Sequence, residues 1–270
     1  MYARPLLPNW RLKSARAPHI GQIVVTEFLL LMGVGFLAQL VDGALGMAYG
    51  VVSTAAMLSL GFPPAHASAL VHTAEVFTTG ASATSHIYHR NVDWRIVKRL
   101  AIAGVIGAVL GAWILSNIDV TAARRYVYAY LLLMGIYILF KSFRIAQARQ
   151  KPAAWTSPLG FVAGFLDASG GGGWGPLATS TLLGAGHAPR QTVGSVNTSE
   201  FFVTTAAATT FFIELGLSPL SHLLPLVLGG VLAAPFGGWA VKLVSPRVLL
   251  TGVGILIVAL STFQLVRLLA

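Results

Sequence analysis

The chain contains no cysteine and very little charge. Without cysteine there are no disulfides, no thiolate metal sites and no cysteine nucleophile. Charged residues fill 10% of the 270 positions, whereas a soluble domain carries about 25%, so a water-facing surface could not be covered. Long stretches hold no Asp, Glu, Lys or Arg at all, among them 43–74, 100–118, 215–241 and 248–266. About 20 apolar residues cross a bilayer as a helix, and the hydrophobic content of 56% and mean hydropathy of +0.76 point the same way. The composition predicts an all-α polytopic membrane protein.

The net charge is +10, and the basic residues gather in the breaks between apolar segments. They form groups at Arg4, Arg11, Lys13 and Arg16, at Arg90, Arg95, Lys98 and Arg99, and at Lys141, Arg144, Arg149 and Lys151. Cytoplasmic loops of membrane proteins attract Lys and Arg, so the basic balance implies a lipid bilayer rather than a nucleic acid as partner. No small-residue cleavage site follows the first apolar run, and no removed signal peptide is expected.

An internal repeat organises the rest. Written against residue i+125, Asp42 falls on Asp167, Gly46 on Gly171, Gly61 on Gly186, Pro64 on Pro189, Thr73 on Thr198 and Glu75 on Glu200. After a one-residue insertion the offset becomes 126, and Gly104 meets Gly230. The expected organisation is a basic tail over 1–20, a first repeat over 21–142, a basic linker over 143–155 and a second repeat over 156–270. Each repeat would hold a glycine-broken pair of short helices followed by three longer helices. In the second repeat the arms flanking DASGGGGWGP (167–176) are too short to cross a core of about 30 Å. A re-entrant hairpin on each side makes the repeats inverted; one net crossing makes them parallel. Counting basic residues mildly favours parallel, whereas paired short helices around glycine breaks favour inverted, which is the arrangement expected here.

Eight residues are acidic, and the repeat-related Asp42, Glu75, Asp167 and Glu200 lie inside apolar segments. A carboxylate at a helix centre costs about 2.5–3.5 kcal/mol on insertion scales, so these four are candidates for proton coupling. Capping of the following short helix is the alternative role for the two aspartates. His72 and Asn197 precede Glu75 and Glu200 by three residues, on the same helix face. With Thr73, Thr198 and Ser199 they are candidate substrate contacts. The glycines 170–173, and Gly46 in the first break, permit close backbone approach and open N–H groups that suit an anion. Substrate contacts are expected to be heavier at Gly170–Gly173 than at the first break.

Other readings fail on missing residues. No Lys follows the glycines as a phosphate loop requires, no Gly-x-Gly-Asp precedes Asp167, and the histidines lack the spacing of a three-ligand metal site. No enzyme, cofactor or resident metal is expected. Direct binding of cations by the four carboxylates, or a channel-like pore, are the alternatives to an anion carrier.

The stretches VDGALGMAYGVVSTAAMLSLGFPPAHASALVHTAEVF (41–77), with RNVDWR (90–95) after it, and LDASGGGGWGPLATSTLLGAGHAPRQTVGSVNTSEFF (166–202) resemble the TauE/SafE family of sulfite and organosulfonate exporters. The resemblance runs from about residue 24 over nearly the whole chain. It implies a secondary transporter in the cytoplasmic (inner) membrane of a bacterium that moves small sulfur-containing anions outward: sulfite, sulfoacetate or a related organosulfonate. Anions are repelled by carboxylates, so proton coupling through the four acids is expected. A homodimer is compatible with this reading.

Overall fold

The computed structural model describes residues 20–45, 47–143, 155–216, 222–243 and 245–269. The basic tail before Ile20, most of the linker and Gly46 lie outside the described residues. The described residues form ten α-helices. In the first half these are α1 (Ile20–Leu45), α2 (Tyr49–Ser59), α3 (Pro64–Tyr88), α4 (Trp94–Asn117) and α5 (Val120–Phe143). In the second they are α6 (Thr156–Gly170), α7 (Ser180–Gly184), α8 (Pro189–Leu215), α9 (Leu223–Leu243) and α10 (Pro246–Leu269), and one π-helical turn, Gly175–Thr179, leads into α7.

Local signals set the helix ends. Pro64 and Pro189 occupy first helical positions, where a missing N–H costs nothing. The carboxylate of Asp93 accepts from the backbone N–H of Arg95 at 2.8 Å, and that of Asp119 from Thr121 at 2.8 Å, capping α4 and α5. Gly61 and Gly186, just past α2 and α7, have φ of 94° and 85°, the left-handed stop that glycine favours.

Among the described residues, four helices contain windows long and apolar enough to cross a membrane: Val25–Asp42, Trp94–Asn117, Val120–Phe143 and Arg247–Leu269. Their outer faces carry exposed apolar side chains such as Ile102, Leu133 and Phe263. The interior holds Ser68, His72, Glu75, Asp167, Thr198 and Ser199, all buried. Such a distribution suits a protein whose solvent is lipid, because the polar groups that water would otherwise satisfy turn inward.

Residue pairings give the helix directions. Thr251 bonds Ser142 and Gly254 abuts Leu139, while Gly135 abuts Val258, so α5 and α10 run antiparallel. Helices α3 and α8 are antiparallel too, since Gly80 meets Phe201 and His72 meets Phe211. Helix α6 lies parallel to α4 at a backbone spacing that only glycine allows. A Cβ on Gly107, Gly111 or Gly164 would strike the backbone carbonyl of Phe161, Phe165 or Gly104 respectively. Helix α1 packs on α9 in the same way, through Gly35 against Leu226 and Gly229 against Met32.

Both glycine breaks are hairpin tips. The start of α6 (Trp155, Thr156) and the end of α7 (Leu182, Ala185) line one cavity of about 150 Å³, so this arm leaves on the side from which it came. On the opposite side His222 pairs with Glu27 of α1 at 3.2 Å and with the ring of Phe62, just past α2, at 5.1 Å. The first arm therefore also returns to its own side. It is not a pair of short helices, as the sequence suggested for each half, because α1 has 26 residues against 15 in α6. No proline or charge cluster interrupts the run from Ile20 to Glu27, so α1 extends about three turns further back than α6.

Candidate translocation site

The two tips meet in the middle of the bundle. The hydroxyl of Tyr130, near the centre of α5, donates to the carbonyl of Gly172 at 2.7 Å. Gly172 has a φ of 128°, and a Cβ there would collide with the backbone of Gly50 and Val51 at the start of α2. Gly171 faces the side chain of Thr54 just as closely. Glycine is required here by both the positive φ and the approach of one tip to the other.

Asp167 organises the second tip. Its backbone carbonyl accepts from the N–H groups of Gly171 (2.9 Å) and Gly172 (2.8 Å), and its carboxylate accepts from Trp174 N at 2.8 Å. Asp42 plays the matching part in the first tip, accepting from Tyr49 N at 3.4 Å across the same seven-residue interval. Each carboxylate thus accepts a backbone N–H at the start of the helical segment that follows its break. The N–H groups of Gly171 and Gly172, expected to be open to an anion, are filled by Asp167 itself, as is that of Trp174. Tyr49 and Trp174 also occupy corresponding seats: Trp174 covers Gly104 beside Val203, and Tyr49 covers Gly230 beside Thr78.

The other Asp167 oxygen lies 3.1 Å from Nε2 of His72, across the two halves of the chain. His72 is fully buried, and its Nδ1 stands 2.8 Å from the carbonyl of Ser68. With Nδ1 bonded to that carbonyl, Nε2 is the ring atom that faces the carboxylate. One turn along α3, Glu75 is 3% exposed, and its Oε2 has no hydrogen-bond partner among the described residues. Its Oε1 points toward Gly50, where an added Cβ would come within 3.1 Å. Glu75 lies within electrostatic reach of Asp167, Glu200 and Asp42, and Glu200 within reach of Asp42 and Asp167. All four acids therefore gather around the tips, Asp42 and Glu200 in partly exposed positions.

The remaining sequence candidates are near but differently engaged. Thr73 donates to Ala69 O at 2.6 Å, Thr198 to Gly194 O at 2.7 Å and Ser199 to Ser195 O at 2.9 Å. Their protons are spent on their own helices, which leaves lone pairs rather than donors for a substrate. Asn197 donates to Ser82 at 3.1 Å instead of joining an acid. Histidine spacing along the chain predicted no metal site, yet ligand atoms of His72, Glu75 and Asp167 lie within 4.8 Å of one another. Spacing missed this group because Asp167 arrives from the other half. Sequence reasoning also missed Tyr130 and Trp174. A buried aromatic opposite a glycine run was the only available signal.

A polar, acid-bearing centre where two hairpins meet inside an apolar helical bundle suits a membrane transport protein. Residues 31–263 match the family described as sulfite exporter TauE/SafE, and the chain belongs to that family. It is 44% identical to the "Probable membrane transporter protein YtnM" of Bacillus subtilis (strain 168) over 250 residues, 89% of this chain and 83% of that one. It is 30% identical to a "Probable membrane transporter protein" of Haemophilus influenzae over 165 residues, 57% of this chain and 63% of the relative. No solved structure matches the chain. The family is one of transporters, and the protein is not an enzyme.

Proposed function

We propose that the protein is a secondary transporter that exports small sulfur-containing anions, sulfite, sulfoacetate or a related organosulfonate, across the inner membrane of a bacterium. Protons move through Glu75 and Glu200, with Asp42 and Asp167 beside them. The substrate class rests on the family, and the membrane on the bacterial relatives. Coupling rests on Glu75, a buried carboxylate with an oxygen unpartnered among the described residues, within electrostatic reach of three other acids. A charge held there is uncompensated, and an anion cannot approach four ionised acids. Protonation removes both costs, so binding of a proton and of an anion favour each other.

Two inverted repeats form the frame of this reading. Support comes from the matched Asp42–Tyr49 and Asp167–Trp174 bonds and from the antiparallel pairing of the corresponding helices α5 and α10. The cytoplasmic side is then the one bearing Arg90–Arg99, Lys141 and Arg190. The test is counterflow by the purified protein in proteoliposomes, with a sulfonate panel and a divalent-cation panel. Saturable sulfonate exchange supports the reading, and sulfonate flux that never saturates indicates a pore. A second reading, direct cation transport, is favoured by the His72–Glu75–Asp167 group. Cation-dependent flux with no sulfonate exchange would replace the first reading with that one.

A further inference from the structure

Two cavities flank the hairpin tips, one toward each end of the α5–α10 pair. The first, about 290 Å³, lies between Ser59 and Gly61 at the end of α2, Arg124 and Tyr128 of α5, and Gln264 and Arg267 of α10. The second, about 370 Å³, lies between Lys141 of α5, Ser180 and Leu183 near α7, His187, and Leu250 of α10. Their walls correspond through the repeat. Leu58 and Leu183 line the two cavities at an offset of 125, and Arg124 with Leu250, Ile138 with Gln264 and Lys141 with Arg267 at 126. Arg124 and Lys141 stand 17 positions apart on one helix, roughly 26 Å along its axis, so the cavities open toward opposite faces.

Each cavity carries cations and no acid among its lining residues. Arg124 and Arg267 form no ion pair with any described carboxylate, and the nearby Asp119 is engaged in capping α5. In the second cavity Lys141 Nζ lies 3.4 Å from Ser180 O and 5.6 Å from the centre of the Tyr137 ring, which leaves donors of its ammonium for a ligand. That cavity also reaches Met47 and Pro176, beside the two tips, while the first stops at Tyr128. Repeat-related mouths of unequal depth are what one path requires when it opens to one side at a time.

We infer that these cavities are the two mouths of the anion path, with Arg124 and Arg267 capturing an oxyanion on one face and Lys141 on the other. The inference rests on the anion-transport reading and adds its recognition residues. Two guanidinium groups suit the flat, multi-oxygen face of a sulfite or sulfonate. Cations at the mouths offset the repulsion from the four acids at the centre and raise the local anion concentration.

The test is sided transport in oriented proteoliposomes, with KM measured for sulfoacetate offered from each face. Arg124→Gln with Arg267→Gln is expected to raise KM about ten-fold or more on its own face, as loss of charge-assisted hydrogen bonds implies, and to leave the opposite face within about two-fold. Lys141→Gln is expected to do the reverse. Arg124→Lys with Arg267→Lys keeps the charge and should recover part of the affinity, and an unchanged melting temperature in each variant shows that the fold is intact. Equal effects on both faces, or none, overturn the inference. So does unchanged flux with lost stabilisation by phosphatidylglycerol, which assigns the arginines to a lipid phosphate. If the wild type moves no sulfonate, the functional reading fails separately. The mouths are then judged by calorimetric titration of sulfite, where binding lost in the arginine pair supports them and binding absent in the wild type overturns them.

Discussion

Replacing Gly172 by alanine probes the contact between the hairpin tips, and Gly61→Ala supplies its control. Both residues have positive φ, 128° and 94°, but only Gly172 has backbone atoms of another element against its missing side chain. Gly61 has nothing within 4 Å of a built Cβ. Backbone strain from an L-residue in this region costs about 1–2 kcal/mol at either position. Forcing a methyl group against Gly50 and Val51 adds about 1–3 kcal/mol, the usual range for overpacking. The difference between the variants is therefore about 1–3 kcal/mol. For a chain of this size each kcal/mol moves the melting temperature by about 2–4 °C, so Gly172→Ala should melt roughly 2–12 °C below Gly61→Ala. Tryptophan fluorescence during thermal unfolding in detergent is a suitable readout, because Trp174 is fully buried two residues from the substitution. Transport should fall in Gly172→Ala and persist in Gly61→Ala. Equal melting temperatures would refute the tip-to-tip contact.

Substitutions at three further positions separate structure from transport. Asp167→Asn keeps an oxygen for Trp174 N but removes the carboxyl group facing His72, so the melting temperature should change little while pH-driven flux is lost. Asp167→Ala should lose both. Tyr130→Phe removes the bond to Gly172 O and should cost about 1 kcal/mol, seen as a lower melting temperature with the fold retained. Ala48 holds a φ of 104° at the position matching Gly173, so Ala48→Gly should stabilise by roughly 0.5–1 kcal/mol as relieved strain outweighs added chain freedom. A lower melting temperature there would count against the strained first tip.

Local pairs within the two glycine breaks were the most legible feature. Aligning Asp42 with Asp167 also aligns Tyr49 with Trp174 and Gly61 with Gly186, and each pair takes matching geometry in the fold. The acids were legible because a carboxylate in an apolar run has few bland explanations. Contacts between halves were not. His72 and Asp167 are 95 residues apart, and nothing in local spacing joins them. Hydroxyl roles were hidden for another reason. Thr73 and Thr198 look like ligands in a polar helix, yet each has its own carbonyl four residues back as a nearer acceptor. The length of α1 was misjudged because a glycine break signals where a helix stops, not where it starts. The cationic cavities escaped notice because Arg124 and Arg267 read as ordinary loop-end charges until α5 and α10 bring them together.

Coupling between anion and proton is tested most directly by recording lumenal pH in weakly buffered proteoliposomes as sulfoacetate is added. The account predicts a substrate-dependent proton movement in the wild type. That movement should vanish in Glu75→Gln with Glu200→Gln, while sulfoacetate still stabilises the protein. A pH signal of wild-type size in that double variant would contradict it.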